Sequence, residues 1–224
     1  MSDRSFVSPE MRARVRVVAV PVALLLGRLG LTPNALTLVG FLGTCLAALA
    51  AANQAWVLAG VLVIAFGIFD LFDGALARAT GQASKFGAFL DSTLDRTGEG
   101  LVLAGVAYGC ATSGFPLGAG LAAVALTLAS VVTYARAKAE GLGVHGEVGV
   151  APRPERLVIL ATGLVLTGVL GGLGVAAAAR TLIPTSGAAA LACALGLIAL
   201  LSAITVVQRI LHVKKQLDRQ SRKQ

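Results

Sequence analysis

Long apolar segments separated by short polar breaks make up most of this chain. The apolar segments cover approximately residues 34–53, 56–79, 86–109, 117–138, 155–177 and 187–210. A helix that crosses a bilayer needs about 20 apolar residues, so each segment is long enough for one crossing. Because the apolar residues stand in blocks and do not alternate with polar ones, the pattern favours helices over a β-barrel. The sequence therefore predicts an all-α membrane protein with six transmembrane helices.

The composition supports a membrane protein. The 224 residues are 56% hydrophobic and only 13% charged, with a mean hydropathy of +0.83. Soluble domains carry about 25% charged residues, so this composition argues against a soluble enzyme and excludes a disordered chain. The six segments and their short loops leave no room for a separate soluble domain. We expect one membrane domain, with the helical bundle at 34–210 and a basic tail at 211–224.

Residues 8–28 are predicted to form an amphipathic helix that lies in the membrane interface. The segment 8–10 combines Ser, Pro and Glu in the order typical of a helix start, and three arginines follow between 12 and 16. The apolar run at 17–26 is short for a crossing and contains Pro21. The alternative is a signal peptide, but no A-x-A-type cleavage site follows. An interfacial helix with its arginines toward lipid headgroups is therefore favoured.

The distribution of positive charge predicts the orientation. The net charge is +8, yet of the 19 Lys and Arg residues only Arg180 falls in the loops near 53–54, 113–116 and 180–186. The others lie toward the N-terminus, the loops at 80–86 and 139–154, and the C-terminal tail. Since Lys and Arg concentrate on the cytoplasmic side of membrane proteins, both termini are predicted to be cytoplasmic. The high positive charge thus reflects topology and contact with anionic lipids, and we expect no nucleic-acid partner.

A cluster of acids marks the candidate site. Five of the 11 acidic residues lie within 30 residues, at the predicted cytoplasmic ends of the second and third spans: Asp70, Asp73, Asp91, Asp95 and Glu99. An acid inside a membrane span costs about 2.5–3.5 kcal/mol at the helix centre, so such residues are functional by default. The aspartates are spaced i, i+3 on one helix and i, i+4 on the next, which puts each pair on one face. We expect a short turn around Gly81 to make the two helices antiparallel neighbours, with the four carboxylates converging.

Four converging carboxylates predict a divalent-metal site. Without cations they would repel one another, whereas two divalent ions would balance their formal charge. Oxygen ligands with no neighbouring His or Cys favour Mg²⁺, with Mn²⁺ as the alternative, and two such metals are the usual arrangement for phosphoryl displacement. Small residues at Gly74, Ala77 and Gly87 would let a base or phosphate approach the backbone, and Arg78 is placed to meet a diphosphate.

These residues match the signature of a known family. The matching positions read Asp70-x2-Asp73-Gly74-x2-Ala77-Arg78-x8-Gly87-x3-Asp91-x3-Asp95. With every specified position present, the chain resembles the CDP-alcohol phosphotransferases over nearly its whole length. The resemblance implies six transmembrane helices, an N-terminal interfacial helix and a homodimer. It also implies transfer of a phosphoalcohol from a CDP-alcohol, with release of CMP and a requirement for divalent metal.

The resemblance also implies individual roles. The four aspartates would hold two metal ions, Mg²⁺ in the first instance, and Asp95 would also be the general base. Asp73, Gly74, Ala77, Arg78, Ser84 and Gly87 would contact CDP-diacylglycerol. The segment from Thr32 to Thr37 looks like the family's stretch at the start of the first span, and it adds Pro33, Asn34, Ala35 and Leu36 to the donor site. A simple helix cap at Thr32 is the alternative interpretation of that segment.

A second, basic group predicts the acceptor. Five cations lie at the cytoplasmic ends of the last three spans: Arg136, Lys138, Arg153, Arg156 and Arg209. They indicate a pocket for an anionic acceptor, although any one of them alone could be a membrane anchor. The segments at 134–141, 153–157 and 207–215 resemble one branch of the family, the actinobacterial phosphatidylinositol phosphate synthases. That branch joins CDP-diacylglycerol to inositol 1-phosphate.

The leading hypothesis is therefore an enzyme of the cell membrane that makes phosphatidylinositol phosphate, with its active site facing the cytoplasm. Glycerol 3-phosphate is the alternative acceptor, because it also needs an anionic pocket. A cation transporter is the alternative from another class. Transporters place their ion site near the midplane between repeats, whereas these acids lie at one end of two helices and no repeat is visible.

Overall fold

The computed structural model describes residues 20–174 and 186–221, and these residues form helices and short loops without a β-strand. The helices are α1 (residues 20–28), α2 (Pro33–Ala52), α3 (Trp56–Thr80), α4 (Lys85–Thr112), α5 (Pro116–Gly141), α6 (Arg153–Val169) and α7 (Ser186–Ser221). The all-α prediction is confirmed. The helix α1 lies within the predicted interfacial helix, whose residues 8–19 are outside the described part of the chain.

Local sequence signals fix the helix ends around the aspartates. The hydroxyl of Thr32 accepts a hydrogen bond from the backbone N–H of Ala35 at 3.2 Å, and Pro33 occupies the first turn of α2. The end of α3 is Gly81, which has a φ of 69° in the left-handed region that glycine tolerates best. The hydroxyl of Ser84 then caps α4. The reversal between α3 and α4 is therefore a short, well-defined turn.

Two helix ends differ from the sequence prediction. The span predicted at 155–177 ends as a helix at Val169, because Gly171 and Gly172 follow with φ values of 91° and 70° and cannot continue it. In contrast, α7 continues past residue 210 to Ser221, so the described part of the basic tail is helical. The end of the apolar pattern near 210 is therefore not the end of the helix.

Six helices pack in a ring, with neighbours in the order α2, α3, α6, α7, α5, α4 and back to α2. The expectation that α3 and α4 are packed neighbours is wrong. They are consecutive in the chain, but they do not pack along their length, and each packs against α2 instead. The reversal at Gly81 therefore leaves a cleft between the ends of α3 and α4, where the aspartates lie.

Glycines explain why α2 separates these helices. A Cβ at Gly105 of α4 would lie 2.3 Å from the carbonyl oxygen of Ala48, and one at Gly109 would lie 2.4 Å from that of Ala51. A Cβ at Gly43 of α2 would lie 2.2 Å from the Phe66 ring of α3. Close approach through small residues is the usual basis of helix packing in membranes. Since α2 is held tightly on both sides, it fixes the separation of α3 and α4.

The outer surface is that of a membrane protein. Among the described helices, α2, α3, α5 and α7 are long and apolar enough to cross a bilayer. Large apolar side chains are exposed around the ring, for example Leu42, Leu58, Val124 and Leu200. Such a surface is typical of contact with lipid or with another apolar surface. Four charged residues of α4 and α6 are instead paired with one another: Arg153 with Asp95, and Arg156 with Glu99.

Candidate active site

The four aspartates of the signature meet at the end of the cleft between α3 and α4. The carboxylate of Asp95 interacts electrostatically with those of Asp70 and Asp91, and Asp73 interacts with the same two. Each of the four carboxylates is therefore within electrostatic reach of at least two others, although the two helices do not pack together. The residues come together because each pair occupies one face of its helix and both faces look into the cleft.

Asp73 is the most deeply held of the four. Its side chain is buried, and its Oδ2 accepts a hydrogen bond from the Thr37 hydroxyl at 2.6 Å. Its Oδ1 accepts from the backbone N–H of Gly74. Both oxygens are thus oriented by donors from α2 and α3. Sequence reasoning placed Thr37 in the entry segment without a role, and the structure shows that it positions Asp73.

Arg153, the first residue of α6, joins the two helices across the cleft. Its Nη1 donates to Oδ2 of Asp70 at 2.9 Å and to Oδ2 of Asp95 at 2.5 Å. The side chains of all three residues are between 22% and 24% exposed, so the bonds are largely shielded from water. The sequence analysis assigned Arg153 to the acceptor pocket, whereas the structure brings it directly onto the acidic cluster.

The donor chemistry of the cluster fits a hard divalent cation. Four carboxylates supply oxygen ligands alone, as Mg²⁺ and Mn²⁺ prefer. In the part of the chain that the structure describes, however, no three acidic, His or Cys side chains are arranged as a metal site. The guanidinium of Arg153 lies between Asp70 and Asp95 and bonds to both carboxylates. The residues fit a metal by their chemistry, and the arginine holds two of the carboxylates.

Residues of the predicted donor site form two walls of the cleft beside the aspartates. The guanidinium of Arg78 lies over Gly74, where a Cβ would be 3.1 Å from Arg78 Nη1. At the opposite wall, a Cβ at Gly87 would lie 3.1 Å from both Asn34 Oδ1 and Ser84 Oγ. The starts of α2 and α4 therefore meet next to the end of α3. Glycine at both positions keeps the cleft open to these polar groups.

Other residues of the entry segment have structural roles. Leu36 is 1% exposed and packs in an apolar cluster with Ala23, Ala75 and Leu76, so the prediction that it binds the donor is wrong. Its side chain points away from the cleft because it lies on the face of α2 that meets α1 and α3. The hydroxyl of Ser84 accepts from the backbone N–H of Gly87 at 3.0 Å and acts as a helix cap. The helix-cap interpretation of Thr32 is confirmed.

Arg156 forms a buried ion pair that the sequence analysis did not assign. Its Nε and Nη2 donate to the two carboxylate oxygens of Glu99 at 2.7 and 2.8 Å, and its Nη1 donates to the carbonyl of Ala151 at 2.9 Å. The side chains of Arg156 and Glu99 are 1% and 6% exposed. Arg156 was expected to face an acceptor phosphate. In this structure it ties α4 to α6 and to the preceding loop.

The remaining cations of the predicted pocket differ in their surroundings. Arg209 is buried, and it donates through Nε to the carbonyl of Val148 at 2.8 Å and through Nη1 to that of Val132. It lies within electrostatic reach of Arg136 and Arg156. The exposed side chain of Arg136 pairs with Glu140 at 2.8 Å and Glu147 at 3.1 Å.

Lys138 does not belong to this group. It is exposed, and it lies two residues beyond Arg136 on the same helix, which turns it to the opposite face. Its placement in the acceptor pocket is corrected accordingly.

The loop at 142–152 completes the wall behind these cations, and it is bound to α7 at several points. The backbone N–H of Ala151 donates to the Thr205 hydroxyl at 3.2 Å, and a Cβ at Gly149 would lie 2.2 Å from Thr205 Cγ2. Farther along α7, the Gln216 amide accepts from His145 N–H at 3.1 Å and donates to the His145 carbonyl at 2.7 Å. The helical tail therefore positions this loop, a role that its basic composition did not reveal.

The sequence holds a signal for one of the missed residues. Glu99 lies one turn beyond Asp95, so it shares the face that carries the site. An acid inside an apolar helix needs a compensating partner, and the basic segment at 153–156 is the available source. No comparable signal exists for Thr205 or Gln216, because hydroxyl and amide residues are tolerated at many helix positions.

A comparison with known protein families agrees with the geometry. Residues 30–214 match the model of the CDP-alcohol phosphatidyltransferases. The chain belongs to this family. The match covers all of the aspartates, both walls of the donor cleft and the four arginines. It therefore establishes that the chain is a transferase, and it disfavours the cation transporter considered from the sequence.

Curated relatives cover nearly the full length. The phosphatidylinositol phosphate synthase of Cutibacterium acnes is 37% identical over 206 residues, which are 91% of this chain and 96% of the relative. The archaetidylinositol phosphate synthase of Pyrococcus horikoshii is 34% identical over 216 residues, which are 93% of this chain and 97% of that protein.

Solved structures of the Mycobacterium tuberculosis phosphatidylinositol phosphate synthase are also similar. The form with CDP-DAG bound is 32% identical with a TM-score of 0.75, and the match covers 88% of this chain and 93% of that one. The complex with manganese and citrate has the same identity and TM-score and covers 87% and 88%. At this identity the likeness extends to the family as well as to the fold. The chain is therefore a membrane enzyme of a family that uses divalent metal.

Proposed function

We propose that this enzyme is a phosphatidylinositol phosphate synthase, which transfers the phosphatidyl group of CDP-diacylglycerol to inositol 1-phosphate and releases CMP. The observation that carries the proposal is the cationic wall beside the acidic cluster. Arg153 contacts two of the aspartates, and Arg209 lies within electrostatic reach of both Arg136 and Arg156. A neutral alcohol would gain nothing from such a wall, whereas an acceptor that carries a phosphate would.

The names of the relatives support inositol phosphate as the acceptor more strongly than they support diacylglycerol as the lipid part of the donor. The bacterial and archaeal relatives are named for different lipid parts, phosphatidyl and archaetidyl, and share inositol phosphate. This chain is therefore similar to enzymes that are named for the same acceptor and for different lipids. CDP-diacylglycerol as the donor is supported by the related structure with CDP-DAG bound.

We assign the metal site to Asp70, Asp73, Asp91 and Asp95, with two Mg²⁺ ions, or Mn²⁺ in their place, as the cofactors. Such ions supply neutralisation of the diphosphate and of the oxygen charge that develops during transfer. Asp73 is already oriented for this role by Thr37 and Gly74. The remaining three carboxylates lie around the opening of the cleft.

The donor's nucleotide and diphosphate are assigned to the cleft between α3 and the starts of α2 and α4. Arg78 is exposed and lies over Gly74, so its guanidinium is accessible to a diphosphate. Asn34 offers its amide beside Gly87. Asp73 and the small or capping residues complete the lining: Pro33, Ala35, Ala77 and Ser84. The acyl chains would remain between helices in the bilayer.

Asp95 is assigned as the general base. The hydroxyl oxygen of the acceptor forms a bond to the phosphorus that carries the diacylglycerol, and the bond from that phosphorus to the CMP oxygen breaks. The hydroxyl proton passes to the Asp95 carboxylate, and CMP leaves with the negative charge. Asp95 is partly exposed at the cleft opening, on the side of the cationic wall, so an acceptor held by that wall would place its hydroxyl near this carboxylate.

The acceptor phosphate is assigned to Arg153, Arg209 and Arg136. Arg209 uses Nε and Nη1 for backbone carbonyls, which leaves Nη2 for a ligand. Arg136 is half-exposed at the mouth of the pocket. Arg156 keeps the loop and the helices in place through Glu99 and Ala151, and it adds positive charge behind the pocket.

We further propose that all six ring helices cross the cell membrane, with both termini and the active site on the cytoplasmic side. Residues 8–28 lie in the membrane interface. The enzyme is a homodimer. The charge asymmetry of the loops supports the orientation. The helical basic tail supports contact with the anionic cytoplasmic leaflet, because it extends α7 past the apolar segment. The family resemblance supports the dimer.

The test is CMP release by the purified enzyme with CDP-diacylglycerol and Mg²⁺, supplied separately with inositol 1-phosphate, glycerol 3-phosphate or free inositol. We expect release only with inositol 1-phosphate. Release with glycerol 3-phosphate instead would retain the family and the metal site and overturn the acceptor. Release with free inositol would show that the cationic wall does not select the acceptor.

Thr37 provides a prediction about the metal site. Thr37→Val removes the hydroxyl that orients Asp73, and we expect the Mn²⁺ concentration for half-maximal CMP release to rise about tenfold, since loss of a group that orients a metal ligand typically weakens the metal. Thr44→Val is the matched control on the same helix, because the Thr44 hydroxyl donates to the carbonyl of Gly40 and, among the described residues, has no bond to an aspartate. An unchanged Mn²⁺ requirement in Thr37→Val would contradict the assignment of Asp73 as a ligand.

A further inference from the structure

One guanidinium nitrogen links the two halves of the acidic cluster. Nη1 of Arg153 bonds to Asp70 of α3 and to Asp95 of α4, at a point where these helices do not pack against each other. Both carboxylates belong to the set assigned to metal. A guanidinium and a divalent cation cannot occupy the same space between two carboxylates, and like charges so close repel. The contact occupies Oδ2 of both carboxylates and therefore opposes metal binding between them as long as it persists.

The bonding of Arg153 is incomplete in a way that the bonding of its neighbour is not. Its Nε is buried and has no hydrogen-bond partner among the described residues. Arg156, one turn along α6, donates a hydrogen bond from each of its three nitrogens, Nε, Nη1 and Nη2. A buried N–H group without an acceptor makes that position of the side chain less stable. Arg153 therefore bonds to the aspartates, but some of its N–H groups remain available to donate to another anion.

We propose that Arg153 and the divalent metal compete for Asp70 and Asp95, and that metal loading releases the guanidinium to bind the acceptor's phosphate. The proposal rests on the proposed function and deepens it, since it assigns an order of events to the same site. Before metal arrives, Arg153 offsets one of the two negative charges of Asp70 and Asp95 and occupies an oxygen of the general base. After metal arrives, the guanidinium is surplus positive charge beside the cationic wall, where a phosphate is its natural partner.

The competition predicts positive coupling between metal and acceptor phosphate. A ligand can shift an equilibrium only through its different affinity for two states, and here metal and phosphate both favour the state in which Arg153 has left the carboxylates. Each should therefore tighten the other by the same factor. The metal-free enzyme has Arg153 engaged and binds the phosphorylated acceptor weakly.

The experiment measures binding rather than turnover. Mn²⁺ and inositol 1-phosphate are titrated separately and together into the full-length enzyme in detergent by calorimetry, for the wild type, Arg153→Gln and the control Arg219→Gln. We expect Arg153→Gln to bind Mn²⁺ about tenfold more tightly, which corresponds to about 1.4 kcal/mol. We expect Mn²⁺ to tighten inositol 1-phosphate at least fivefold in the wild type and in Arg219→Gln, and to have no such effect in Arg153→Gln.

The results that overturn the proposal are distinct from failure of the proposed function. Equal or weaker Mn²⁺ binding by Arg153→Gln, or coupling that persists in this variant, overturns the competition while leaving the enzyme's reaction intact. Should Arg153→Gln not fold, the wild type still decides: absence of tightening by Mn²⁺ overturns the proposal. A wild type that binds no Mn²⁺ removes the metal site and this inference with it, and CMP release in the acceptor assay reports separately on the function.

Discussion

Replacing Asp95 with asparagine is expected to slow CMP release about 10²–10⁴-fold at saturating Mn²⁺, the range typical for loss of a general base. The amide cannot take the proton of the attacking hydroxyl, although it still offers an oxygen to a cation and to Arg153. The fold should not change, because Asp95 is partly exposed and asparagine has nearly the same volume. The deficit should therefore appear in turnover and not in the melting temperature.

The controls separate the base from the ligand. Asp91→Asn removes a proposed metal ligand that has no assigned proton-transfer role, so raising Mn²⁺ should restore much of its activity. Asp218→Asn makes the same chemical change at an exposed position of the helical tail and should behave as wild type. If excess Mn²⁺ rescues Asp95→Asn as fully as Asp91→Asn, then Asp95 is a ligand only, and the base must be sought elsewhere.

The chemistry of the cleft could be predicted because it is encoded in local spacing. Asp70 and Asp73 share a face of α3 whatever lies around it, and the same holds for Asp91 and Asp95 on α4. A positively charged end of the ring also followed from the placement of Lys and Arg. The helix caps at Thr32 and Ser84 and the turn at Gly81 are local features as well, so the helix starts near the site were correct to within a residue or so.

The partners of these faces could not be predicted in the same way. Periodicity shows which residues share a face, and it does not show which helix the face meets. The separation of α3 from α4 depends on the close approach of Gly105 and Gly109 to the backbone of α2, which is a property of the assembled ring. Lys138 is a different case, because its position two residues after Arg136 already places it on the opposite face of the helix. Choosing which arginine meets which acid requires the order of helices around the ring.

Replacing Glu99 with leucine is expected to destabilise the enzyme by about 3–5 kcal/mol, because it leaves the Arg156 charge buried without a counterion. The pair is nearly inaccessible to water, and it joins α4 to α6 through two hydrogen bonds. Thermal unfolding in detergent measures the loss. Glu140→Leu is the control, since Glu140 also pairs with an arginine, Arg136, but on the exposed surface, where an ion pair contributes about 0–1 kcal/mol.

The double variant Glu99→Leu with Arg156→Leu decides what the pair is for. Replacing both partners of a buried ion pair by apolar residues is often neutral for stability, so most of the loss in either single variant should be recovered. If Arg156 only holds the loop at 142–152 through Ala151, the double variant should bind inositol 1-phosphate a few-fold more weakly and keep its turnover at saturation. If Arg156 itself contacts the phosphate, as its position in the sequence first indicated, the stable double variant should lose acceptor binding altogether. If the double variant is as unstable as the single variants, then the two charges are needed for folding. That result would contradict the expectation that apolar residues can replace the pair.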